Sequence, residues 1–343
     1  MSEPSRPLGR RRRAAFTLAA LALSLLLATG VLEILGRIFN PLGVSYYPET
    51  ARYMDTLVLG GPIGYRNRPG LSGRFYHAPV SINARGMRDR EIDADPKPGE
   101  FRVAVMGDSF PFGIGVAYED SIPACLEAVL QSKAPDGVLF RTMNFGVPSY
   151  NTEQELIQFD GLVGDLHPSA VVLLFQLNDI FPKMWVFEKR RGFVTNLAQR
   201  SYAVSLVFSA YRLIRRHGED PMAFLGQEDY TPDNPRWLAI DRSLTDLAAR
   251  CRARGIPLAV FALDDKEHPP VAMVRAVGAR EGFAVDNLVP WRDPRWSGRD
   301  PRSIANSILD SHPKPEGSRI YATLLAEALW RLGAVPVRGV AAP

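Results

Sequence analysis

The stretch FRVAVMGDSF, residues 101–110, decides the fold. Its first six residues form a short apolar run with β-branched side chains, which predicts a buried strand. Glycine, aspartate and serine follow at once, so polar side chains begin where the strand ends. In parallel sheets, ligands collect outside the carboxyl ends of the strands. We therefore expect Ser109 at the edge of the sheet where a site would form.

Apolar runs and helical patterns alternate through the rest of the chain. Strands separated by helices imply right-handed crossovers and a parallel sheet covered on both faces. The predicted fold class is α/β, a five-stranded parallel sheet with helices on both faces. Asp120 is expected to cap the first helix after residue 101. The further strands are predicted over 138–145, 170–176, 256–263 and 283–288, and the helices over 120–131, 152–163, 237–254, 269–280 and 316–332.

The N-terminal region predicts a basic cytoplasmic tail, residues 1–13, followed by a transmembrane helix, residues 14–36. The run AAFTLAALALSLLLATGVL carries no charge over residues 14–32, and a helix needs about 20 apolar residues to span a bilayer. Arginines before such a run stay in the cytoplasm. A cleaved signal peptide is the competing interpretation, but its apolar stretch is usually only about 7–15 residues. We expect an uncleaved anchor in the lipid bilayer of the bacterial inner membrane, with the remaining chain in the periplasm.

Charge and cysteine content limit the classes of partner that the sequence predicts. The formal net charge is +4, but arginines of the basic tail account for it, so a phosphate-binding stripe and a nucleic-acid partner are not expected. Cys125 and Cys251 show no metal-ligand spacing; two buried thiols are favoured, and a disulfide stays open. The acidic run 264–268 is interpreted as a solvated loop. No metal site and no cofactor are predicted.

Composition divides the chain into further regions. Residues 37–100 are rich in Gly, Pro, Tyr and Arg and predict an irregular stalk or lead-in. Residues 101–335 form the main domain, and 336–343 are a short tail. Residues 180–236 interrupt the alternation as an insertion. Its apolar helix over 201–217 packs on the body, forms a lid or leans on the membrane; the sequence leaves these alternatives open.

Polar motifs follow the ends of three predicted strands. Ser109 follows the first, residues 144–152 follow the second, and Asn178 follows the third. Asp310 and His312 precede the last helix. A serine, a histidine and an aspartate in one place supply a nucleophile, its base and the group that orients the base. Taken singly, each residue also has a structural interpretation as a cap or turn; their joint placement at one edge favours chemistry.

These motifs resemble the blocks of SGNH/GDSL hydrolases. The blocks are GDSF, the Asn-x-Gly-x-Pro loop from Asn144, Asn178-Asp179 and Asp310-x-His312-Pro, while SINARGMRD, residues 81–89, is similar to the lead-in of membrane-anchored bacterial members. The resemblance implies a flavodoxin-like sheet with Ser109 as nucleophile, His312 as general base and Asp310 as its orienting acid.

The resemblance also implies an oxyanion hole and an activity. The backbone N–H of Ser109 and the side-chain amide of Asn178 are two donors; the third, a glycine in the family, falls on Ser149 and not on Gly146. A serine at positive φ carries strain there. The implied function is an extracytoplasmic serine esterase that cleaves a carboxylic ester, with an O-acetylated glycan as one candidate substrate. An O-acetyltransferase with the same triad and a non-catalytic envelope scaffold remain the alternatives.

Overall fold

The structure is a computed structural model, and it describes residues 9–39, 43, 46–189, 193–215, 229–263, 268–307 and 310–338. The helices and strands that position the site follow one another along the chain. In chain order they are α1 (Arg10–Phe39), α2 (Tyr46–Met54), β1 (Val58–Leu59), β2 (Tyr65–Arg66), β3 (Ser72–Phe75), β4 (Ala78–Ser81), β5 (Glu100–Gly107), α3 (Ser109–Phe112), α4 (Ile122–Ser132), β6 (Leu139–Asn144), α5 (Thr152–Gln158), β7 (Ala170–Phe175), α6 (Trp185–Lys189), α7 (Phe193–Ala198), α8 (Tyr202–Arg215), α9 (Pro235–Ala253), β8 (Leu258–Ala262), α10 (Pro269–Glu281), β9 (Ala284–Asn287) and α11 (Pro315–Arg331).

The central sheet has five parallel strands in the order β6-β5-β7-β8-β9. In chain order this is 2-1-3-4-5, the flavodoxin-like arrangement. The predicted fold class is thus confirmed. Val105 of β5 lies opposite Asn144 of β6 and Val172 of β7. The three strand ends that carry the polar motifs are therefore direct neighbours.

Alternate residues of β5 face opposite sides of the sheet. Val103 and Val105 pack with α4 and α11, whereas Ala104 and Met106 pack with α5, α9 and α10. Both faces are covered, which explains why the central strands β7 and β8 are continuous apolar runs. Cys125 and Cys251 are free buried thiols on opposite faces; the interpretation as two thiols is confirmed.

Helix α4 begins one residue later than the sequence predicts. Asp120 lies in a 3₁₀ turn, and Ser121 is the N-cap of α4, with its hydroxyl accepting from the backbone N–H of Ala124 at 3.4 Å. The Asp120 cap was wrong because Pro123 sits within the first turn and Ser121 has the extended backbone that a cap needs.

The lead-in residues pack against the main domain. Two short antiparallel hairpins, β1–β2 and β3–β4, and helix α2 contribute Tyr53, Tyr65 and Ile82 to a core cluster. Phe112 and Tyr150, from the loops at the carboxyl edge of the sheet, belong to the same cluster. The lead-in thus shares a core with the loops that carry the polar motifs.

Helix α1 is the one helix within the described ranges that is long and apolar enough to cross a membrane, and none of its residues is buried. Its apolar side chains stay exposed along the whole uncharged run. Helix α8, in the insertion, contacts α1, α2 and α7. The insertion helix therefore lies between the candidate anchor and the lead-in.

Candidate active site

The turn that carries Ser109 depends on a glycine. Gly107 ends β5 at φ 143°, where a Cβ would lie 2.9 Å from the carbonyl oxygen of Leu174. A side chain is excluded there by both strain and space. Ser109 then begins the single turn α3, and the Asp108 carboxylate accepts from the backbone N–H of Phe110 at 3.1 Å. The chain thereby turns sharply and brings Ser109 to the edge of the sheet.

The structure brings Ser109, His312 and Asp310 together. The Ser109 Oγ atom lies 2.7 Å from His312 Nε2, and His312 Nδ1 lies 2.5 Å from Asp310 Oδ1. A carboxylate only accepts hydrogen bonds, so Nδ1 carries the proton and Nε2 is left to accept from the serine hydroxyl. Ser109 and His312 are only 9% and 6% exposed. The arrangement can move a proton from the serine to the imidazole.

Contacts between the backbone on either side of Asp310 hold the histidine in place. Ala305 and Pro313 form an antiparallel bridge, and the backbone N–H of Asn306 donates to the carbonyl of His312 at 2.8 Å. The Asn306 side chain donates to Asp310 Oδ2 at 3.2 Å and to the carbonyl of Ile114 at 2.8 Å. Asn306 thus ties the acid to the loop that follows Ser109. Sequence reasoning missed it because nothing in the local pattern marks an isolated asparagine.

The loop after β6 packs directly on the serine turn. Asn144 Nδ2 donates to the carbonyl of Pro111 at 2.7 Å, and Asn144 Oδ1 accepts from the backbone N–H of Gly146 at 2.9 Å. A Cβ on Gly146 would lie 2.1 Å from the backbone nitrogen of Phe112. Gly146 therefore permits close approach of two backbones, and its N–H is already used within the loop.

Ser149, the residue at which the motif comparison places the family's glycine, has a positive φ. Its φ is 64°, in the left-handed region that favours glycine. Within the described ranges, the backbone N–H groups of Ser149 and Ser109 donate no hydrogen bond to another residue. Both groups are thus available as donors to a ligand atom.

Asn178 contacts Asp108 at this edge. Its Nδ2 atom donates to Asp108 Oδ2 at 2.9 Å, and Ser109 Oγ lies 3.3 Å from the same oxygen. Burial raises the pKa of Asp108, while the hydrogen bond from Asn178 lowers it. The contact orients the Asn178 amide beside the serine. Asp108 was not a predicted site residue, although GDSF contains it.

A pair of buried acids includes Asp179, the residue next to Asn178. Asp179 and Glu155 are buried, and Thr152 Oγ1 donates to Asp179 Oδ2 at 2.7 Å. Burial, with repulsion between the two carboxylates, raises the pKa of Glu155 well above its usual value, and burial likewise raises that of Asp179. Asp179 Oδ1 and both carboxyl oxygens of Glu155 have no hydrogen-bond partner among the described residues. Burial thus favours the neutral form of both acids.

Arg88 of the lead-in forms hydrogen bonds to the loop that follows Ser109. It is fully buried and donates to the carbonyls of Phe112 and Val116, at 2.6 Å each, and to those of Gly113 and Pro79. Burial lowers the pKa of Arg88 to about 10. One cation thus joins buried carbonyl groups of α3, of the loop after it and of β4.

Asp89, the next residue, supports the loop after β6. Its carboxylate accepts from the backbone N–H of Asn144 at 2.8 Å, from Tyr118 at 2.7 Å and from Arg141 at 2.8 Å. The Arg-Asp pair at the end of SINARGMRD therefore braces two of the loops that form the site.

The acidic run that is interpreted from the sequence as a solvated loop is described only at its last residue, 268. Residues 264–267 lie outside the described residues.

Among known proteins, solved structures with a similar fold are found, whereas sequence comparisons give no match. No protein-family model matches the sequence. No curated protein is similar to it at a significant level. Among solved structures, a lipolytic protein of the G-D-S-L family from Desulfitobacterium hafniense is 14% identical, with a TM-score of 0.42 over 66% of this chain and 99% of that one. The psychrotrophic esterase EstA from Pseudoalteromonas sp. is 12% identical, with a TM-score of 0.41 over 67% and 97% of the two chains. The lipase/acylhydrolase from Enterococcus faecalis is 14% identical, with a TM-score of 0.38 over 67% and 95%. The chain is similar in structure to these proteins, and its fold class rests on the strand order above.

Proposed function

We propose that this protein is a serine esterase of the SGNH/GDSL type that cleaves a carboxylic ester outside the cytoplasm. The observation that carries the proposal is the relay from Ser109 Oγ to His312 Nε2, at 2.7 Å, and from His312 Nδ1 to Asp310, at 2.5 Å. Both distances are within proton-transfer reach.

In the first half of the reaction, Ser109 Oγ attacks the carbonyl carbon of the ester while His312 Nε2 takes the serine proton. Asp310 accepts from Nδ1 and stabilises the imidazolium that forms. The tetrahedral intermediate then breaks its bond to the alcohol oxygen, and His312 returns the proton to that oxygen. The products of this half are the free alcohol and an acyl group on Ser109.

In the second half, a water molecule attacks the acyl carbonyl, and His312 takes one proton from the water. The bond to Ser109 breaks, the serine recovers its proton from His312, and the carboxylic acid leaves. The same three side chains serve both halves because His312 acts alternately as base and acid.

We assign the oxyanion to three donors. The free N–H groups of Ser109 and Ser149 lie in the loops after β5 and β6, and the Asn178 amide lies beside Ser109 through its contact with Asp108. Donors fixed before the reaction stabilise the charge on the attacked oxygen without reorganisation. The occupied N–H of Gly146 supports the assignment to Ser149.

Helix α1 supports the proposed placement outside the cytoplasm. Four consecutive arginines, residues 10–13, begin this helix before its apolar run, and the positive-inside rule puts them in the cytoplasm. We propose a single-pass anchor over residues 14–36 in the inner membrane. Esters at a periplasmic site include O-acetyl groups on glycans, which form the substrate class to test first.

The decisive experiment treats the purified full-length protein with a serine-directed fluorophosphonate and with p-nitrophenyl acetate. We expect one phosphonate adduct, on Ser109, and loss of both adduct and turnover in Ser109→Ala. Ser132→Ala, at an exposed serine, is the matched control and should leave both unchanged. An intact mass unaltered by the phosphonate, with no turnover of any ester, would instead point to a non-catalytic scaffold.

The same assay separates hydrolysis from transfer. With an acetylated glycan as donor, hydrolysis releases acetate at the same rate with or without a second sugar. Acetate that appears on an added sugar hydroxyl, at the expense of free acetate, would identify an O-acetyltransferase acting through the same residues.

A further inference from the structure

Helices α7 and α8 carry an unusual share of the exposed apolar surface. Outside α1, the described part of the chain exposes seven large apolar side chains, and four of them lie on these two short helices. The rest of the domain, as far as the structure describes it, exposes three, scattered singly, as is normal for a folded domain. The four are Phe193, Leu197, Val207 and Tyr211, and the other three are Leu59, Leu139 and Leu332.

Helix α8 begins at the level where the anchor leaves the bilayer. The uncharged run of α1 ends at Leu32, and Glu33 is the first charged residue after it. The Glu33 carboxylate accepts from Ser201 Oγ at 2.8 Å and from the backbone N–H of Ala203 at 3.1 Å. The anchor thus caps the N-terminus of α8 with its own side chain.

The two helices also approach closely at Gly36. A Cβ on Gly36 would lie 2.9 Å from Tyr202 Cβ, and the Arg37 guanidinium stacks on the Tyr202 ring at 5.0 Å. Small residues permit this close approach of helices. The start of α8 is therefore held against the outer end of α1 and stays at the membrane surface whenever α1 spans it.

The composition of α8 fits an anionic lipid surface. Its sequence, YAVSLVFSAYRLIR, contains two arginines and no acidic residue. Helices with an apolar face and basic residues lie in the interfacial plane of a bilayer, with the apolar face about 5–10 Å deep. Basic residues near the surface are attracted to anionic headgroups.

We propose that α7 and α8 lie in the interface of the same bilayer that α1 crosses, with Phe193, Leu197 and Val207 among the lipid chains. The inference rests on the anchor assigned in the proposed function. The occupant of this apolar face is the membrane lipid, because the contact with Glu33 and Gly36 brings the face to the bilayer surface.

The contact would also orient the main domain. The Tyr202 hydroxyl donates to Glu49 Oε1 at 3.3 Å, and Glu49 Oε2 accepts from the backbone N–H of Tyr76 at 2.8 Å. Tyr76 belongs to the core cluster that the lead-in shares with the loops of the site. A lipid-seated α8 therefore holds the domain, and its site, at a set angle to the membrane.

The test uses nitroxide labels on the full-length protein in vesicles of phosphatidylethanolamine and phosphatidylglycerol. Cys125 and Cys251 are buried, so an introduced cysteine reacts selectively. Labels at Phe193→Cys and Val207→Cys report on the proposed surface, Leu25→Cys reports on the anchor, and Leu139→Cys is the matched control, an exposed leucine on the edge strand β6. Electron paramagnetic resonance then measures collisions with oxygen, which concentrates in lipid, and with a water-soluble nickel chelate.

We expect the oxygen-to-nickel collision ratio at residues 193 and 207 to be severalfold higher than at residue 139 and to approach that at residue 25. A ratio at 193 and 207 equal to that at 139, with residue 25 in lipid, overturns this inference and leaves the anchor intact. A low ratio at residue 25 shows instead that the anchor itself has failed. Labels at 207 shielded from both reagents, with spin–spin broadening, overturn the inference in favour of a second copy of the chain.

Discussion

Asn178 Nδ2 donates a 2.9 Å hydrogen bond to Asp108 Oδ2, the same oxygen that lies 3.3 Å from Ser109 Oγ. Asp108, the residue before the proposed nucleophile Ser109, thus orients the Asn178 amide that is proposed to stabilise the oxyanion. The serine hydroxyl has a single hydrogen, and the shorter contact, to His312 Nε2 at 2.7 Å, takes it. Asp108 is then left to position Asn178.

Removing the amide should reduce turnover strongly. We expect Asn178→Ala to lower kcat by about 10²–10³, the usual loss for one oxyanion donor. Asp108→Asn should lower it about tenfold, because a neutral amide oxygen accepts more weakly than a carboxylate. The double variant should be no slower than Asn178→Ala. Losses that multiply in this double-mutant cycle would show that Asp108 does not act through Asn178.

Replacing the orienting acid should keep the shape of the site and lose its chemistry. Asp310→Asn preserves side-chain size but no longer favours the tautomer with a proton on Nδ1 of His312. We expect kcat to fall by about 10⁴, as in serine proteases. The measurement is hydrolysis of p-nitrophenyl acetate; retention of more than a tenth of the activity would argue against the assigned role.

Ser149→Gly tests whether the donor is a backbone group. Glycine adopts a φ of 64° without the cost that serine bears there, so the variant should be more stable by about 1 kcal/mol. Its N–H is retained, so kcat should stay within about threefold of the parent, a change of under 1 kcal/mol in the barrier. Urea unfolding and steady-state kinetics give both quantities. A large loss of kcat would assign the role to the serine hydroxyl.

Arg88→Met should destabilise the fold. The buried carbonyls of Phe112 and Val116 lose their donor, and each unpaired buried carbonyl costs about 1–3 kcal/mol, so we expect a loss of about 3–5 kcal/mol in the free energy of unfolding. Arg90→Met is the matched control, because Arg90 pairs with Glu127 at the surface. Such a pair contributes at most about 1 kcal/mol. Equal losses in the two variants would contradict the bracing role of Arg88.

The pair of Glu155 and Asp179 should make stability depend on pH. Burial raises the pKa of both acids, so above about pH 4 the folded protein retains protons that the unfolded chain releases, and stability falls as pH rises toward the folded pKa. Glu155→Gln removes one such group, which should make this decline shallower by up to about 1.4 kcal/mol per pH unit.

Urea unfolding between pH 4.5 and pH 9 measures the slope. Glu153→Gln, on the same helix but paired with Lys183 near the surface, is the control and should keep the slope of the parent. An unchanged slope in Glu155→Gln would mean that Glu155 is ionised in the folded protein.

Local patterns of apolar residues predict most of the architecture. The apolar runs at 101–106, 170–176 and 256–263 predict the three central strands, because a strand buried on both faces needs a largely apolar sequence. The edge strands β6 and β9 contain polar residues, and their prediction also depends on the alternation with helices. The same reasoning predicts Ser109 and Asn178 at one edge, since parallel strands end together, while His312 reaches that edge from the loop before the last helix. The Asp120 cap failed because two adjacent residues were both suitable and only the backbone of the turn distinguishes them.

By itself, the sequence determined the order of strands and helices, the candidate anchor and the residues proposed for chemistry, all of which depend on composition and spacing along the chain. Only the tertiary structure decided that Arg88 braces the serine turn, that Asn306 ties Asp310 to Ile114, that Asp108 holds Asn178 and that Glu33 caps α8. The reason is physical. Most of these contacts join residues far apart in the chain, and the direction of a polar side chain is set by the buried groups that packing leaves in need of a partner.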